Sequence, residues 1–504
     1  MTSRLAGRPG DAAVTADIAI VGAGFSGLGM AIQLKNAGRQ DFVILEKAGD
    51  VGGTWRDNTY PGCACDIRSL LYSYSFAPRH DWSRLFPAQP EILSYLRGCA
   101  DRYGLRPHIR FGAEVTAAAY DDVTGRWLLR TADGDAVGCR ALILAMGPLH
   151  QPLVPEIPGA ETFAGRQFHS ARWDHASDLS GRSVAVIGAG ASAVQLIPRV
   201  AERAAAVSVF QRTPPWIVPK PDRELTERAH RLFRALPSVQ RGYRYLIYWQ
   251  QELMGLCLAH PRLAAAGEAL ARWHIRRQIG DPALRERVTP GYRFGCKRVL
   301  VSSDYYPALT RPNVELVTEP ITAIVPDGVM TAGGALHRAD VIVYATGFRL
   351  TGAFDRAGIT GAGGLRLQDA WRDGMEAYLG ITVAGFPNLF LMLGPNSGLG
   401  HNSMIFMIEA QARYVLRCLD LIDVLGPVSV RPEVQRRFNE RLQRRLRRAV
   451  WSAGGCVSWY LDSRGVNRAL WPGSTVGYWL ATRRLSPGDY RMAAPERPGE
   501  RVAA

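Results

Sequence analysis

Cysteine is sparse in this chain: eight residues, at 63, 65, 99, 139, 257, 296, 418 and 456, are spread over 504 positions. That is too thin for a disulfide framework, and no Cys/His spacing resembles a zinc site. Such usage fits a reducing cytoplasm. A secretory pattern is missing too, because Asp11 and Asp17 precede the first apolar segment and no small-residue cleavage site closes it. Residues 1–14 read as a frayed tail. No clean membrane span is present either: the most apolar long stretch, Ile18–Leu34, is broken by Gly22, Gly24, Gly27 and Gly29 and opens on a β-branched run, so it reads as strand, turn and helix. Low-complexity and collagen-like classes are excluded by 47% hydrophobic and 21% charged residues, and the length equals roughly three domains' worth of material. What is abundant is positive charge. Lys and Arg number 61 against 45 Asp and Glu, a net charge of +16 that suits nucleic acid, anionic lipid or phosphorylated cofactors without choosing among them.

One unit occurs twice. Asp17-Ile-Ala-Ile-Val-Gly22-Ala-Gly24-Phe25-Ser26-Gly27 runs from a buried strand into a glycine turn, followed by a helical pattern over 28–36 and a second strand, Phe42–Glu46. Val184-Ala-Val-Ile-Gly188-Ala-Gly190-Ala-Ser192-Ala193 repeats the design, with a helix through Val200 and a second strand over 206–212. In both copies 24 positions separate the first glycine from the residue that closes the second strand, Glu46 or Arg212. A lone glycine pattern is weak evidence, but two βαβ contexts with one spacing predict two dinucleotide sites. Glycines admit a pyrophosphate to the backbone, and the helix start offers it free N–H groups. Glu46 can accept both hydroxyls of an adenosine ribose, as FAD or NAD requires; Arg212 with Thr213 suits a ribose 2′-phosphate, as in NADP.

Two further apolar strands end in glycine, at Gly147 and Gly347, and bracket the second unit. They predict an α/β fold of two Rossmann-like dinucleotide-binding domains, one inserted in the other. The boundaries expected are 1–148 for the first part of the outer, FAD- or NAD-type domain, 149–338 for an inserted NADP domain with a helical insert at about 221–290, and 339–504 for the rest of the outer domain and a C-terminal segment. The insert could cap a site or lean on a membrane, packing being the simplest role. Over 431–448, eight arginines surround Val434, Phe438, Leu442 and Leu446, which recur every four residues; this reads as a solvated helix docked by an apolar stripe.

After the first unit come Gly52-Gly53-Thr54-Trp55 and Asn58-Thr-Tyr60-Pro61-Gly62, with Asp66 beyond; later, Phe163-Ala-Gly165-Arg-Gln-Phe-His169-Ser-Ala-Arg-Trp173-Asp174 precedes the second glycine turn. On these residues the chain resembles the class B flavoprotein monooxygenases and, within them, the Baeyer–Villiger monooxygenases. Gln211–Pro214, Lys297-Arg298, Ala345–Phe348, Gly394–Met404 and Ser458-Trp459-Tyr460 follow in family order, and the Gly394–Met404 and Leu470–Gly473 blocks most resemble the 4-hydroxyacetophenone monooxygenase-like subgroup. Better-known members carry aromatics after Gly-Thr-Trp, where this chain has Arg56 and Asp57, which makes small cyclic-ketone specificity less expected.

The resemblance implies that NADPH reduces FAD, that the flavin traps O2 as a C4a-peroxide, and that a ketone becomes an ester or lactone. It implies Arg298 as the catalytic cation, with Asp66 as its carboxylate. FAD would be held by Gly22, Gly24, Phe25, Ser26, Gly27, Glu46, Thr54, Trp55, Asp66, Tyr72, Val115 and Met404. NADP would be held by Gly188, Gly190, Ser192, Ala193, Arg212, Thr213, Lys297, Arg298 and Trp459. No metal is implied. His169 would couple domain motion rather than act as a base, and Cys63 and Cys65 would not form a redox pair, since disulfide reductases place Cys where Trp55 stands. A flavin monooxygenase that oxygenates nitrogen or sulfur is the alternative enzyme. A basic membrane- or nucleic-acid-binding protein that keeps its dinucleotides structurally is the alternative outside enzymes; no nucleic-acid module accompanies the charge, whereas peripheral membrane contact stays open.

Overall fold

The strand Val14–Val21, bracketed by parallel partners, fixes the first half of the molecule in this computed structural model, which describes residues 14–259, 261–349 and 352–493. Its Ile18, Ala19 and Ile20 are fully buried, as β-branched and small residues of a two-sided parallel sheet must be. Phe42–Glu46 pairs on one side and Ala136–Leu144 on the other. Ile109–Phe111 extends the sheet beyond Phe42–Glu46. Past Ala136–Leu144 the sheet turns antiparallel through Arg126–Thr131 and Val115–Asp121, and Ile359–Thr360 and Leu389–Leu391 add late strands to it. Residues 1–13, most of the expected tail, lie outside the described residues, and Val14 already belongs to the first strand.

The second sheet is parallel throughout, in the order Val314–Val317, Ala206–Phe210, Ser183–Ile187, Val341–Tyr344, Arg166–His169. This corrects the expected boundary at 339. Val341–Tyr344 pairs with Ser183–Ile187 and Arg166–His169, so the chain returns to the first sheet only after Gly347. The strand is apolar on both faces, and nothing local in it says which of two buried parallel sheets it completes.

The stretch 221–290 is helical, in four pieces: Glu227–Ala235, Pro237–Ala259, Pro261–Gln278 and Pro282–Val288. The basic segment forms the helix Pro432–Leu446, with Leu442 and Leu446 buried and Val434 and Phe438 partly buried against the core. Its arginines face outward around a docked stripe. The structure also pairs Cys296 with Cys456, 160 positions apart with Cα atoms at 6.1 Å. Cysteines this sparse exclude a framework, but not one bridge between segments that tertiary folding brings together.

Candidate active site

The carboxyl ends of both sheets open on one cleft of about 1310 Å³, lined by both glycine turns, by Lys297, Arg298 and Asp66, and by Trp459. In doubly wound sheets this is where ligands sit. The two turns are built alike. Gly22 has φ 104° and an added Cβ would stand 2.7 Å from the Ala145 carbonyl oxygen; Gly188 has φ 122° and its Cβ would stand 2.4 Å from that of Ala345. The neighbours that crowd the turns are thus the ends of the two strands that lead to Gly147 and Gly347. Gly27 does another job: a Cβ there would fall 1.8 Å from the Gly22 carbonyl oxygen, so it seats the helix on the turn and is not on the cleft wall. Ala193 is likewise fully buried beneath the second turn.

Whether the site suits dinucleotides can be tested on the helix starts. Phe25–Asn36 and Ala191–Ala201 begin on Gly24 and Gly190 with no side-chain cap, whereas Thr226, Asp281, Ser403 and Ser474 cap other helices. Both uncapped ends line the cleft, and around Gly190 a Cβ would meet nothing within 4 Å. Free first-turn N–H groups beside open space fit a diphosphate at each turn.

Glu46 closes its strand on the cleft, buried. It accepts the Ala23 N–H at 2.8 Å, the Ala48 N–H at 3.0 Å and an Arg56 N–H at 2.9 Å. A carboxylate has about four acceptor positions, so roughly one stays open for a ribose hydroxyl rather than the two expected. Arg56 also holds Asp57 at 2.8 Å. These two departures from the family pattern therefore cluster on Glu46 rather than on Arg298. Tyr72 accepts the indole N–H of Trp55 at 3.0 Å and meets Phe25 edge-on at 5.2 Å. Val115 and Met404, which opens the helix Met404–Leu425, also line the cleft, as do Thr54 and Ser26.

Arg298 and Asp66 form a two-pronged ion pair: Nε to Oδ2 at 2.7 Å and Nη2 to Oδ1 at 2.9 Å, with Nη1 donating to the Leu399 carbonyl at 3.3 Å. The charge of Asp66 raises the guanidinium further above its ordinary value. Burial works against the Asp66 carboxylate, but the facing guanidinium prevails and holds the carboxyl below its usual range. Tyr460, which sequence reasoning left without a role, lies buried close enough for Arg298 to influence it; burial pushes its hydroxyl up to about 12, and that hydroxyl has no hydrogen-bond partner among the described residues. Trp459 packs at 4.4 Å on Tyr460 and is half exposed.

Lys297 and Arg212 face the cleft as two cations, and neither pairs with a carboxylate among the described residues. Burial and then the Arg212 charge lower the Lys297 ammonium from its ordinary value. Cys296, bonded to Cys456, ties this segment to the one that leads to Trp459. Ser192 and Thr213 complete this wall.

Other sequence candidates fall elsewhere. His169 ends its strand away from the cleft wall; its Nδ1 accepts the Ala171 N–H at 3.1 Å, Nε2 has no partner among the described residues, and burial lowers it to about 4. It packs edge-on against Phe348, at the crossing back to the first sheet. Trp173 packs on Phe168 at 5.1 Å. Cys63 and Cys65 are buried free thiols, the first pushed up to about 12 by burial, so neither offers a thiolate near neutral pH.

Two facing dinucleotide folds with one shared cleft define a flavin- and nicotinamide-dependent oxidoreductase. Residues 19–236, which include both glycine turns, match the family described as pyridine nucleotide-disulphide oxidoreductase. A Baeyer–Villiger monooxygenase of Streptomyces coelicolor is 45% identical over 492 residues, covering 96% of this chain and 95% of that protein. One of Pseudomonas aeruginosa is 46% identical over 480 residues, covering 94% and 91%. Among solved structures, oxidised steroid monooxygenase bound to NADP is 32% identical with a TM-score of 0.86, covering 95% of this chain and 99% of that one. OTEMO in complex with FAD and NADP is 30% identical with a TM-score of 0.85, covering 94% and 99%. The chain belongs to the Baeyer–Villiger monooxygenase family. It is an FAD- and NADPH-dependent monooxygenase that converts ketones to esters or lactones.

Proposed function

We propose that Arg298 is the catalytic cation of this reaction and that Asp66 positions it. The observation that carries this is the two-pronged pair in the cleft shared by both glycine turns. A guanidinium has five N–H donors. Asp66 and Leu399 engage three of them, and two remain for an oxygen on which negative charge develops as a carbonyl is attacked. Arginine keeps its proton under working conditions, so it stabilises that oxygen without quenching a basic attacking group. Asp66, held ionised by its partner, prevents the guanidinium from swinging away.

When bound, FAD reduced by NADPH supplies the activation of O2. The turn Gly22–Gly27 with Ser26 and Phe25 would hold its diphosphate end, Glu46 its adenosine ribose, and Thr54, Trp55, Tyr72, Val115 and Met404 the remaining walls. Gly188, Gly190 and Ser192 would hold the NADP diphosphate, with Ala193 packed beneath the turn. Arg212, Thr213 and Lys297 would meet the 2′-phosphate: two uncompensated cations, one of them with a lowered ammonium, suit a dianion. Trp459 would cover the nicotinamide ribose. The Gly394–Met404 and Leu470–Gly473 blocks support the 4-hydroxyacetophenone monooxygenase-like subgroup, which puts aryl ketones first in the substrate panel.

The test is NADPH oxidation in air by the FAD-loaded protein with aryl, cyclic and long-chain ketones, products being identified by mass. An ester or lactone heavier than its ketone by one oxygen is expected. Unchanged ketones together with oxygenated sulfides or amines would overturn the assignment.

A further inference from the structure

The helix Pro237–Ala259 is apolar on two sides, and only one is covered. Its inner side carries Tyr248, which packs on Phe406 at 5.3 Å, and Glu252, which takes the Asn402 amide and the Thr475 hydroxyl at 2.7 Å each. On the outer side Tyr245 is 64% exposed, Trp249 59%, Leu253 60% and Leu256 55%. Spacings of four, four and three residues put these on one stripe. The next helix, which packs beside it, adds Leu270 and Trp273, each 47% exposed. Single exposed apolar side chains are ordinary in soluble proteins; a stripe continued on an adjacent helix marks a contact surface.

Its charge says what covers it. The three helices Glu227–Ala235, Pro237–Ala259 and Pro261–Gln278 carry nine arginines and three glutamates, and one of those glutamates is the buried Glu252. Arg231, Arg234, Arg241, Arg276 and Arg277 are exposed, and Arg277 lies 5.6 Å over the ring of Trp273. Among the described helices none is long and apolar enough to cross a membrane. We propose that this surface docks peripherally on an anionic lipid bilayer. Trp249, Leu253 and Trp273 enter the boundary between headgroups and acyl chains, while the arginines extend to lipid phosphates. Tryptophan and arginine are the side chains that settle at that depth. A second copy of the chain is a poorer fit, because a symmetric contact would set one arginine fringe against another with little acidic surface to meet it. The net charge of +16 draws the whole molecule to the same partner.

Sedimentation of the FAD-loaded protein with vesicles tests this, comparing phosphatidylcholine alone with phosphatidylcholine containing phosphatidylglycerol. Partition at least ten-fold stronger into the anionic vesicles is expected. The double variant W249S/L253S lowers it at least ten-fold while NADPH oxidation with a water-soluble ketone stays within two-fold. The double variant R276Q/R277Q weakens anionic binding and leaves weak phosphatidylcholine binding unchanged. Equal and negligible partition into both vesicle types overturns the proposal, as does anionic binding that neither double variant alters. Light scattering that shows a dimer dissociated by W249S/L253S gives the surface to a second copy and overturns it too.

Discussion

Arg298 and Asp66 stand 232 positions apart and meet through two parallel N–H···O bonds of 2.7 and 2.9 Å. That geometry is specific to a planar guanidinium, so Arg298→Lys should fail almost as badly as Arg298→Ala. Losing a preorganised charge at an oxyanion costs about 10²–10³ in kcat. Stopped-flow measurement should show NADPH still bleaching the flavin in Arg298→Ala, with ester formation lost. Near-normal ester yield would remove Arg298 from the chemistry. Asp66→Asn should lower kcat with little change in the KM for NADPH, as expected when a positioned cation becomes free to move.

Arg212 and Lys297 stand without carboxylate partners among the described residues, and the proposed reason is a dianionic 2′-phosphate. Arg212→Ala should raise the KM for NADPH by about ten- to a hundred-fold, given roughly 1.5–3 kcal/mol for a charged hydrogen bond, and change that for NADH little. Steady-state kinetics with both coenzymes decide it. Equal losses for the two would assign Arg212 to something both share.

The second glycine turn separates fold from function within three residues. Gly188 has φ 122° and no room beside Ala345, whereas the Cβ direction of Gly190 is open. Gly188→Ala should therefore destabilise the domain, and Gly190→Ala should fold normally yet bind NADPH at least ten-fold more weakly, because the added methyl occupies diphosphate space. Thermal unfolding and coenzyme titration of the two variants test the contrast. A Gly190→Ala protein with native affinity would place the diphosphate elsewhere.

Much of this site was legible in the chain because its signals are local. Each glycine turn is written within a few residues, and the strand-turn-helix context around it follows from hydrophobic patterning. The four-residue recurrence of Val434, Phe438, Leu442 and Leu446 likewise located a docked helix before its environment was visible. Most of the features that escaped are long-range. Whether Val341–Tyr344 completes the first sheet or the second depends on partners at 166–169 and 183–187, and an apolar parallel strand carries no mark of which. The occupation of Glu46 by Arg56 requires a rotamer, not a spacing. The bond from Cys296 to Cys456 joins segments 160 positions apart, where sequence offers no register at all.

That bond has a measurable consequence. Closing so long a loop restrains the unfolded chain, and losing a native disulfide typically costs about 2–5 kcal/mol. Cys456→Ser and treatment with dithiothreitol should each lower the thermal midpoint, the two effects not adding. Because the bridge lies between Lys297 and the segment leading to Trp459, both treatments should also raise the KM for NADPH. A peptide map made without reductant that recovers Cys296 and Cys456 in separate peptides would sink this.

His169 links the second sheet to the crossing at Phe348 and does so as a neutral ring. Burial lowers it from the ordinary histidine value of 6.5 to about 4. Between these values the unfolded chain takes a proton that the folded chain refuses, so stability contributed by the neutral ring is complete above pH 6.5 and drains away as pH falls towards 4. From pH 7 to pH 5 the loss is about 2 kcal/mol, at 1.36 kcal/mol per pH unit. Unfolding free energies from urea titration at the two pH values should therefore fall more steeply for the wild type than for His169→Gln, which cannot titrate there. Because His169 lies off the cleft wall, His169→Gln is expected to retain NADPH oxidation at pH 8 with at most a several-fold loss; abolished turnover there would instead make the ring a general base on the cleft.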